Sequence, residues 1–246
     1  MADLDTRPGP REYLCSLRQH VREPISNAVE RVQREHREVA RERDAFEAFA
    51  ERVTDHPTEP TDVRPAPAVT VLSARSARES ESLRTAYSET VMGVAHYETV
   101  YGESLTAHVR AELGPEIATL FESSADGALI PEQRRTVVAA ARQAAADRDE
   151  FCGTLEAELE SLRSLRTEIT AILDELDSTT IPAWYHQQFT NELTSIIRTR
   201  QAHLAERSLS YLDGHNLCES LYHDEPQTYP VLMALARLRD CVTVRG

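Results

Sequence analysis

The fold is decided by one long stretch, residues 131 to 176, which reads PEQRRTVVAAARQAAADRDEFCGTLEAELESLRSLRTEITAILDEL. Apolar residues recur in it at spacings of three and four, the period of one helix face, and Arg148 lies within that series. Pro131 suits a first helical turn, and Gly153 is the one weak joint, because glycine costs up to roughly 1 kcal/mol against alanine in a helix. The stretch predicts a single helix, roughly 65 Å long at 1.5 Å per residue.

A second helix is predicted to return along the first. Residues 177 to 182 end the long helix and turn the chain, and residues 184 to 212 then carry Phe189, Leu193, Ile196 and Leu204 on one face. Because the connection is short, the two helices are expected to be neighbours in an antiparallel hairpin, residues 131 to 212.

Shorter helices complete the prediction. Residues 73 to 95 and 105 to 113 show helical apolar spacing, Gly114 and Pro115 end one helix and begin the next, and Pro230 starts the last one. Only residues 69 to 72 offer a stub that could pair as a strand. We therefore predict an all-α fold, an elongated helical bundle with a long, coiled-coil-like antiparallel hairpin.

Near the start of the chain, apolar residues recur at every seventh position, the spacing of a coiled-coil seam. The seam residues are Ile25, Val32, Val39, Phe46 and Val53. The partner positions between them hold charged or polar side chains, Glu35, His36, Glu42 and Arg43, which weaken the middle of the seam. Two interpretations stay open: one helix of an intrachain bundle, or a candidate interaction seam for another chain.

The positions of the prolines and of the apolar periods predict four segments. Residues 1 to 24 contain three prolines and are expected to form a loose N-terminal arm. An amphipathic helix follows at residues 25 to 55, and a proline-rich linker at 56 to 72 has four prolines and no apolar period. Residues 73 to 246 then form a helical bundle domain that includes the long hairpin.

The charge composition indicates adaptation to concentrated salt. Acidic residues outnumber basic ones 41 to 27, the net charge is −14, and every basic residue is arginine. Surplus carboxylates keep a protein hydrated in salt, and the guanidinium group is more weakly hydrated than the lysine ammonium. We therefore expect an acidic protein of a halophilic archaeon that accumulates salt.

Composition also argues against some partners and compartments. Binding to nucleic acid through phosphate contacts weakens steeply as the salt concentration rises. We therefore predict that the protein does not bind nucleic acid. No apolar run approaches the roughly 20 residues that a membrane crossing requires, and no membrane association is predicted. The first ten residues lack the order of a signal peptide, and the four cysteines are scattered, which together favour reduced thiols and a cytoplasmic location.

The closing part of the chain contains the residues that most resemble a set of metal ligands, namely His215, Cys218, His223 and Cys241. Zinc usually takes four ligands from two tight pairs, and only one loose pair is present here. Buried, small apolar roles for Cys218 and Cys241 are therefore preferred, and no metal or cofactor is predicted. His223, Asp224 and Glu225 are adjacent, but neighbours in sequence are expected to point apart on a charged turn.

A second candidate site lies where the predicted helices break, between residues 93 and 102. His96, Tyr97 and Tyr101 lie there close to Glu98 and Glu103, so they either line a cleft able to exchange protons or plug the corner between helices. The candidate pocket or interaction residues are His96, Tyr97, Tyr101, Tyr222 and Tyr229. No catalytic residue is assigned, because no nucleophile, phosphate-binding loop or paired-carboxylate motif accompanies them.

Residues 89 to 118, ETVMGVAHYETVYGESLTAHVRAELGPEIA, resemble a haloarchaeal family of uncharacterised helical proteins, the domain-of-unknown-function family 7260. The opening helix at 29 to 53, the alanine-rich helix at 131 to 151 and the closing LYHDEPQTYPVLMALARL at 221 to 238 are similar to it as well. The resemblance spans residues 25 to 242. It implies a cytosolic helical protein and brings no catalytic residues.

These observations favour a non-catalytic protein-interaction or scaffold module, with a protein partner or a homodimer as its counterpart, because long amphipathic helices recognise other helices. The alternative is a small-molecule or signal-sensing helical module with a pocket near Tyr97 and Tyr101. An enzyme is not predicted.

Overall fold

The computed structural model describes residues 10–55, 82–122, 129–178, 183–205 and 216–243, and these residues form helices and no strand. The helices are α1 (Pro10–Asp55), α2 (residues 82–90), α3 (Tyr97–Val100), α4 (Leu105–Glu112), α5 (Pro115–Glu122), α6 (Pro131–Ser178), α7 (Ala183–Ala205), α8 (Leu217–Tyr222) and α9 (Pro230–Thr243). The all-α prediction is confirmed. The predicted strand stub at 69–72 and the linker at 56–72 lie outside the described residues.

The long predicted helix is present as α6, which runs unbroken for 48 residues. Its predicted partner, α7, returns antiparallel to it: the guanidinium of Arg200, 17 positions after the start of α7, bonds the carboxylate of Glu158, 20 positions before the end of α6. The predicted end of the second helix, residues 206 to 212, lies outside the described residues.

The first helix begins earlier than predicted. α1 covers 46 residues from Pro10 to Asp55 and passes through Pro24, so the expected loose arm is corrected to helix from residue 10 onward. A proline inside a helix removes one hydrogen bond and costs about 3 kcal/mol. Val21, Ile25 and Ala28 are each 1% exposed, and their packing on both sides of Pro24 offsets that cost.

The chain forms two compact units. Unit 1 comprises Met1–His36 and Gly153–Gly246, and unit 2 comprises Arg37–Cys152. Both borders fall inside long helices, α1 and α6, and the second border coincides with the predicted weak joint at Gly153. This division differs from the four consecutive segments expected from the sequence, because each long helix contributes to two cores.

In unit 1 the core is built by α1, α6, α7, α8 and α9, and α7 packs along α9. α1 and α6 are antiparallel in this unit: Arg18 Nη2 lies 3.1 Å from Asp174 Oδ1, and His36 Nε2 lies 3.2 Å from Glu156 Oε1. Fully buried members of the core include Ile25, Leu155, Leu162, Ile169, Leu193, Leu217 and Leu235.

In unit 2 an aromatic cluster occupies the core between α1, α2 and α5. The rings of Phe49 and Tyr87 meet edge to face with centroids 5.0 Å apart, and Phe121 packs on Tyr87 at 5.6 Å. α4 packs against α5 across Gly114, whose φ of +95° favours glycine as the turn between the helices. α1 and α6 are antiparallel here too, with Arg43 Nη1 3.0 Å from Asp149 Oδ1.

The seven-residue seam is used inside the chain. Its five residues, Ile25, Val32, Val39, Phe46 and Val53, are each at most 6% exposed. Three of the polar residues that interrupt the seam contact α6: His36 lies against Glu156, Glu42 against Arg148 and Arg43 against Asp149. The apolar side of the seam is thus covered by the chain's own helices, as the intrachain interpretation expects.

Two further observations bear on the earlier expectations. None of the helices in the described part of the chain has the length and apolar content that crossing a membrane requires. None of the cysteines whose side chains are described, Cys152, Cys218 and Cys241, is joined in a disulfide.

Candidate functional site

The carboxylate of Glu42 is the centre of a buried polar cluster in unit 2. It accepts hydrogen bonds from His96 Nε2 at 2.8 Å, Tyr101 Oη at 3.0 Å and Arg148 Nε at 2.8 Å. Arg148 also pairs with Glu112 at 2.9 Å through Nη2. Glu42 lies on α1, His96 and Tyr101 flank α3 on either side, and Arg148 lies on α6, so one carboxylate links these three segments, and Arg148 extends the network to Glu112 on α4. We call Glu42, His96, Tyr101, Glu112 and Arg148 the Glu42 cluster.

The side chains that make these contacts are largely buried, so their charges need partners within the chain. The side chains of Arg148 and His96 are 3% and 9% exposed, and that of Glu42 is 11% exposed. Arg148 also lies over the ring of Phe46, with its guanidinium carbon 4.5 Å from the ring centroid, in cation–π geometry. A buried charge is tolerated when its partners satisfy it, and the chain supplies those partners itself.

His108 is enclosed by tyrosine rings beside the Glu42 cluster. Its Nδ1 lies 2.8 Å from Tyr87 Oη, and its ring centroid is 5.0 Å from that of Tyr97 and 4.9 Å from that of Tyr101. Burial lowers the pKa of His108 below its ordinary value, and Arg148 lowers it further while the nearby carboxylate of Glu112 opposes them. Burial therefore favours the neutral form of the ring.

Two buried ring nitrogens have no hydrogen-bond partner among the described residues, His96 Nδ1 and His108 Nε2. The predicted trio of His96, Tyr97 and Tyr101 is brought together, and Tyr97 donates to the backbone oxygen of Glu103 at 3.2 Å. Glu98 and Glu103 are themselves exposed. The Glu42 carboxylate already receives three donors from within the chain. The plug between helices and the acid–base cleft both stay predictions for this corner.

Sequence reasoning missed Glu42, His108, Glu112 and Arg148 as members of this site. Two signals pointed to them: Glu42 interrupts an apolar seam, and Arg148 occupies an apolar position of the α6 series. His108 gave no comparable signal, since a single histidine on a short amphipathic helix has many ordinary explanations.

Unit 1 contains the remaining candidate residues. A groove of about 520 Å³ lies between α1 and the turn that joins α8 to α9. It is lined by Pro24, Asn27, Ala28, Glu30, Arg31, Arg34, Tyr222, Glu225, Pro226, Gln227 and Pro230. We call it the α1 groove. Tyr229 does not line it but precedes Pro230 at its edge, is 40% exposed and accepts a hydrogen bond from Asn216 at 2.8 Å.

Arg31 and Tyr222 lie together in the α1 groove. The Arg31 guanidinium carbon is 5.7 Å from the Tyr222 ring centroid, and its Nη1 is 3.1 Å from Glu225 Oε1. Tyr222 is 4% exposed, and its hydroxyl has no hydrogen-bond partner among the described residues. Burial raises the pKa of this hydroxyl well above its ordinary value, so Tyr222 is neutral.

A second buried ion pair lies in unit 1, between α6 and α7. Glu158 is 0% exposed and receives both terminal nitrogens of Arg200, with Nη1 at 2.9 Å from Oε2. His203 Nε2 is 3.1 Å from the same oxygen. Cys218 is buried near these charges, and burial raises the pKa of its thiol to about 11.

The candidate metal ligands do not converge within the described residues. Cys218 is buried, His223 is exposed, Cys241 is half-buried, and His215 lies outside the described part. No group of three or more metal-binding side chains occurs among the described residues. The expectation that His223 and Asp224 point apart is wrong: His223 Nε2 lies 3.0 Å from Asp224 Oδ2, and both side chains are exposed.

Comparison with known proteins gives one match. Residues 23–245 match the family model DUF7260, described as a domain of unknown function. No curated protein and no solved structure matches the chain.

Proposed function

This chain belongs to the DUF7260 family, whose function is unknown, and we propose that it is a non-catalytic module that binds a partner protein through the α1 groove and the adjoining start of α9. One observation carries the proposal. The groove lies beside two of the large hydrophobic side chains that are exposed among the described residues, Tyr229 at 40% and Met233 at 43%. Met233 N–H bonds Tyr229 O at 3.0 Å, so these two exposed residues lie one turn apart at the start of α9. We call the groove and these two residues the binding face.

The composition of this face is that of a binding surface. Tyrosine, methionine and arginine are enriched in protein interfaces, and tyrosine and arginine dominate binding hot spots. The binding face contains all three, because Tyr229 and Met233 lie at the start of α9 and Arg34 lines the groove. Arg34 is exposed and has no hydrogen-bond or ion-pair partner among the described residues, so its guanidinium is available to a partner.

The partner surface proposed here differs from the seven-residue seam considered at first. The seam residues are buried within the chain and cannot contact another chain without unfolding α1 from its own unit. The exposed face of α9 requires no such rearrangement. A non-catalytic role is also supported by the carboxylate of Glu42, which is already occupied by donors from His96, Tyr101 and Arg148.

The proposal is tested by site-specific photo-cross-linking in cells that natively make the protein. A cross-linking amino acid is placed at Gln227, inside the groove, and separately at Glu160, an exposed position on α6 outside it. We expect a discrete protein adduct from position 227 only, and its loss when Met233→Ser is added. Ile130→Ser is the matched control, because Ile130 is 52% exposed in unit 2.

An adduct that forms equally from both positions, or that survives Met233→Ser as well as it survives Ile130→Ser, would contradict the proposal. The adduct is identified by mass spectrometry, so that a second copy of this chain is distinguished from another protein.

The second candidate function is small-molecule sensing. The volume of the α1 groove, about 520 Å³, falls within the range of small-molecule sites, roughly 300 to 1,000 Å³. Native mass spectrometry of the protein purified from its own cells distinguishes the two candidate functions. A bound compound of low mass that is present in the native protein and absent from the Tyr222→Phe variant favours sensing over protein binding.

A further inference from the structure

We propose that the α1 groove recognises an acidic side chain of its partner, which displaces Glu225 from Arg31 and also contacts Arg34. This inference rests on the proposed function and adds the chemistry of recognition. It starts from the observation that a carboxylate already occupies the groove: Glu225 Oε1 lies 3.1 Å from Arg31 Nη1. Glu225 thus shows how a carboxylate is accommodated there.

The Glu225 contact is weakly held. Arg31 and Glu225 meet through a single nitrogen–oxygen contact, and their side chains are 26% and 50% exposed. Arginine presents five donors in a planar fork and binds carboxylates best through two parallel bonds. An exposed ion pair of this kind contributes little stability, so an incoming carboxylate can replace it at small cost.

Arg31 itself is fixed in place while Glu225 is exchangeable. Its guanidinium lies over the ring of Tyr222, which is 4% exposed and forms part of the groove wall. Stacking on an aromatic ring restrains the guanidinium and leaves its edge free for hydrogen bonds.

A second cation completes the recognition site. Arg34 follows Arg31 by three positions on α1, so both side chains emerge on neighbouring positions of one helix face. Arg34 lacks a partner among the described residues, although Glu30, also unpartnered, lies one turn before it on the same wall. A carboxylate placed between Arg31 and Arg34 would receive two cations, whereas Glu225 reaches one.

The partner segment is expected to be extended and rich in proline. Pro24, Pro226 and Pro230 contribute flat apolar surfaces to the groove beside Tyr222. Grooves lined by aromatic and apolar rings accept polyproline-type segments, which lose little conformational entropy on binding. In a segment that alternates acidic residues and prolines, the prolines can pack on the rings of the groove and the carboxylates can pair with the arginines.

The test uses a six-residue peptide of alternating proline and glutamate with a neutral fluorophore, and a matched peptide of proline and glutamine. Fluorescence anisotropy is measured with the full-length protein in a series of potassium chloride concentrations. We expect the glutamate peptide to bind more tightly, with a preference of about two- to fivefold that decreases as salt rises. Arg34→Gln should abolish the preference, and Arg37→Gln, an exposed arginine one turn further on and outside the groove, should leave it unchanged.

The decisive variant is Glu225→Gln. If Glu225 occupies the site of the ligand's carboxylate, its neutralisation should tighten binding of the glutamate peptide by about two- to fivefold. Weaker binding by Glu225→Gln, or equal binding of both peptides to the native protein, overturns the proposal. Circular dichroism in the same buffers confirms that each variant is folded. A partner adduct at Gln227 together with equal peptide binding would refute the acidic recognition alone and leave the proposed function standing.

Discussion

Arg148 Nε lies 2.8 Å from Glu42 Oε2, and the two side chains are 3% and 11% exposed. Breaking a buried ion pair from one side leaves an uncompensated charge, so we expect Arg148→Met to lower the free energy of unfolding by about 3 to 5 kcal/mol. Glu42→Gln combined with Arg148→Met should cost less than the sum of the two single changes, by about 0.5 to 3 kcal/mol. Urea unfolding in constant salt measures this coupling, and strict additivity would show that the pair does not interact.

The stability of unit 2 should depend on the protonation of His108. Burial lowers its pKa in the folded state, so the unfolded chain binds a proton first as the pH falls. Stability is therefore independent of this group above its ordinary pKa of about 6.5 and decreases below it, until the folded pKa is reached. The groups around it are Glu42, Glu103, Glu112 and Arg148, together with the tyrosines.

Unfolding of native protein and His108→Phe is compared between pH 7 and pH 5. The free-energy difference between them should shrink as the pH falls, by at most about 1.4 kcal/mol per pH unit. Parallel curves would show that His108 does not titrate differently in the folded state.

The seam residues should stabilise the chain rather than join it to another. Phe46→Ala in unit 2 is expected to cost about 3 to 5 kcal/mol and Ile25→Ala in unit 1 about 2 to 5 kcal/mol, because both are at most 1% exposed. Light scattering coupled to size exclusion in concentrated potassium chloride gives the mass of each variant. A change from dimer to monomer without loss of stability would place the seam between chains.

The two described cysteines of unit 1 should differ in reactivity. Cys218 is 2% exposed, and burial raises its thiol pKa to about 11, so little thiolate forms at pH 8. We expect alkylation of Cys241, which is half-buried, to precede that of Cys218 in native conditions. Mass spectrometry of peptides after a short pulse of reagent, with and without urea, measures both sites. Equal labelling of the native protein would contradict the buried position of Cys218.

Salt should stabilise the folded chain. A net charge of −14 produces repulsion between carboxylates that added ions screen. The melting temperature is therefore expected to rise between about 0.1 M and 3 M potassium chloride, a range over which the Debye length falls from roughly 10 Å to below 3 Å. A flat or falling melting temperature would argue against adaptation to salt.

The sequence was sufficient for α6 because its apolar period persists over many turns and the turn after residue 178 is marked by proline. It was misleading at Pro24, where local propensity predicts a break but the packing of Val21 and Ile25 maintains the helix. Tertiary burial therefore determines that the chain is helical at Pro24, and tertiary burial cannot be predicted from a local sequence pattern.

For a related reason, only some residues of the candidate site could be predicted from the sequence. His96 and Tyr101 could be located from the helix break around them, whereas Glu42 and Arg148, their buried partners, lie 54 and 52 positions from His96 along the chain. Such pairings depend on the register of α1 against α6. Composition and spacing do not determine that register.

Arg148 touches two kinds of neighbour, since its guanidinium pairs with Glu42 and Glu112 and also lies over the ring of Phe46. This arrangement constrains how the family can evolve. Loss of the charge at position 148 would leave two acidic side chains without their partner and an aromatic ring without the guanidinium that covers it. Selection should therefore remove single substitutions at this position. Positions 42, 46, 112 and 148 are therefore expected to change together, as one inherited unit, when sequences of distant family members are compared.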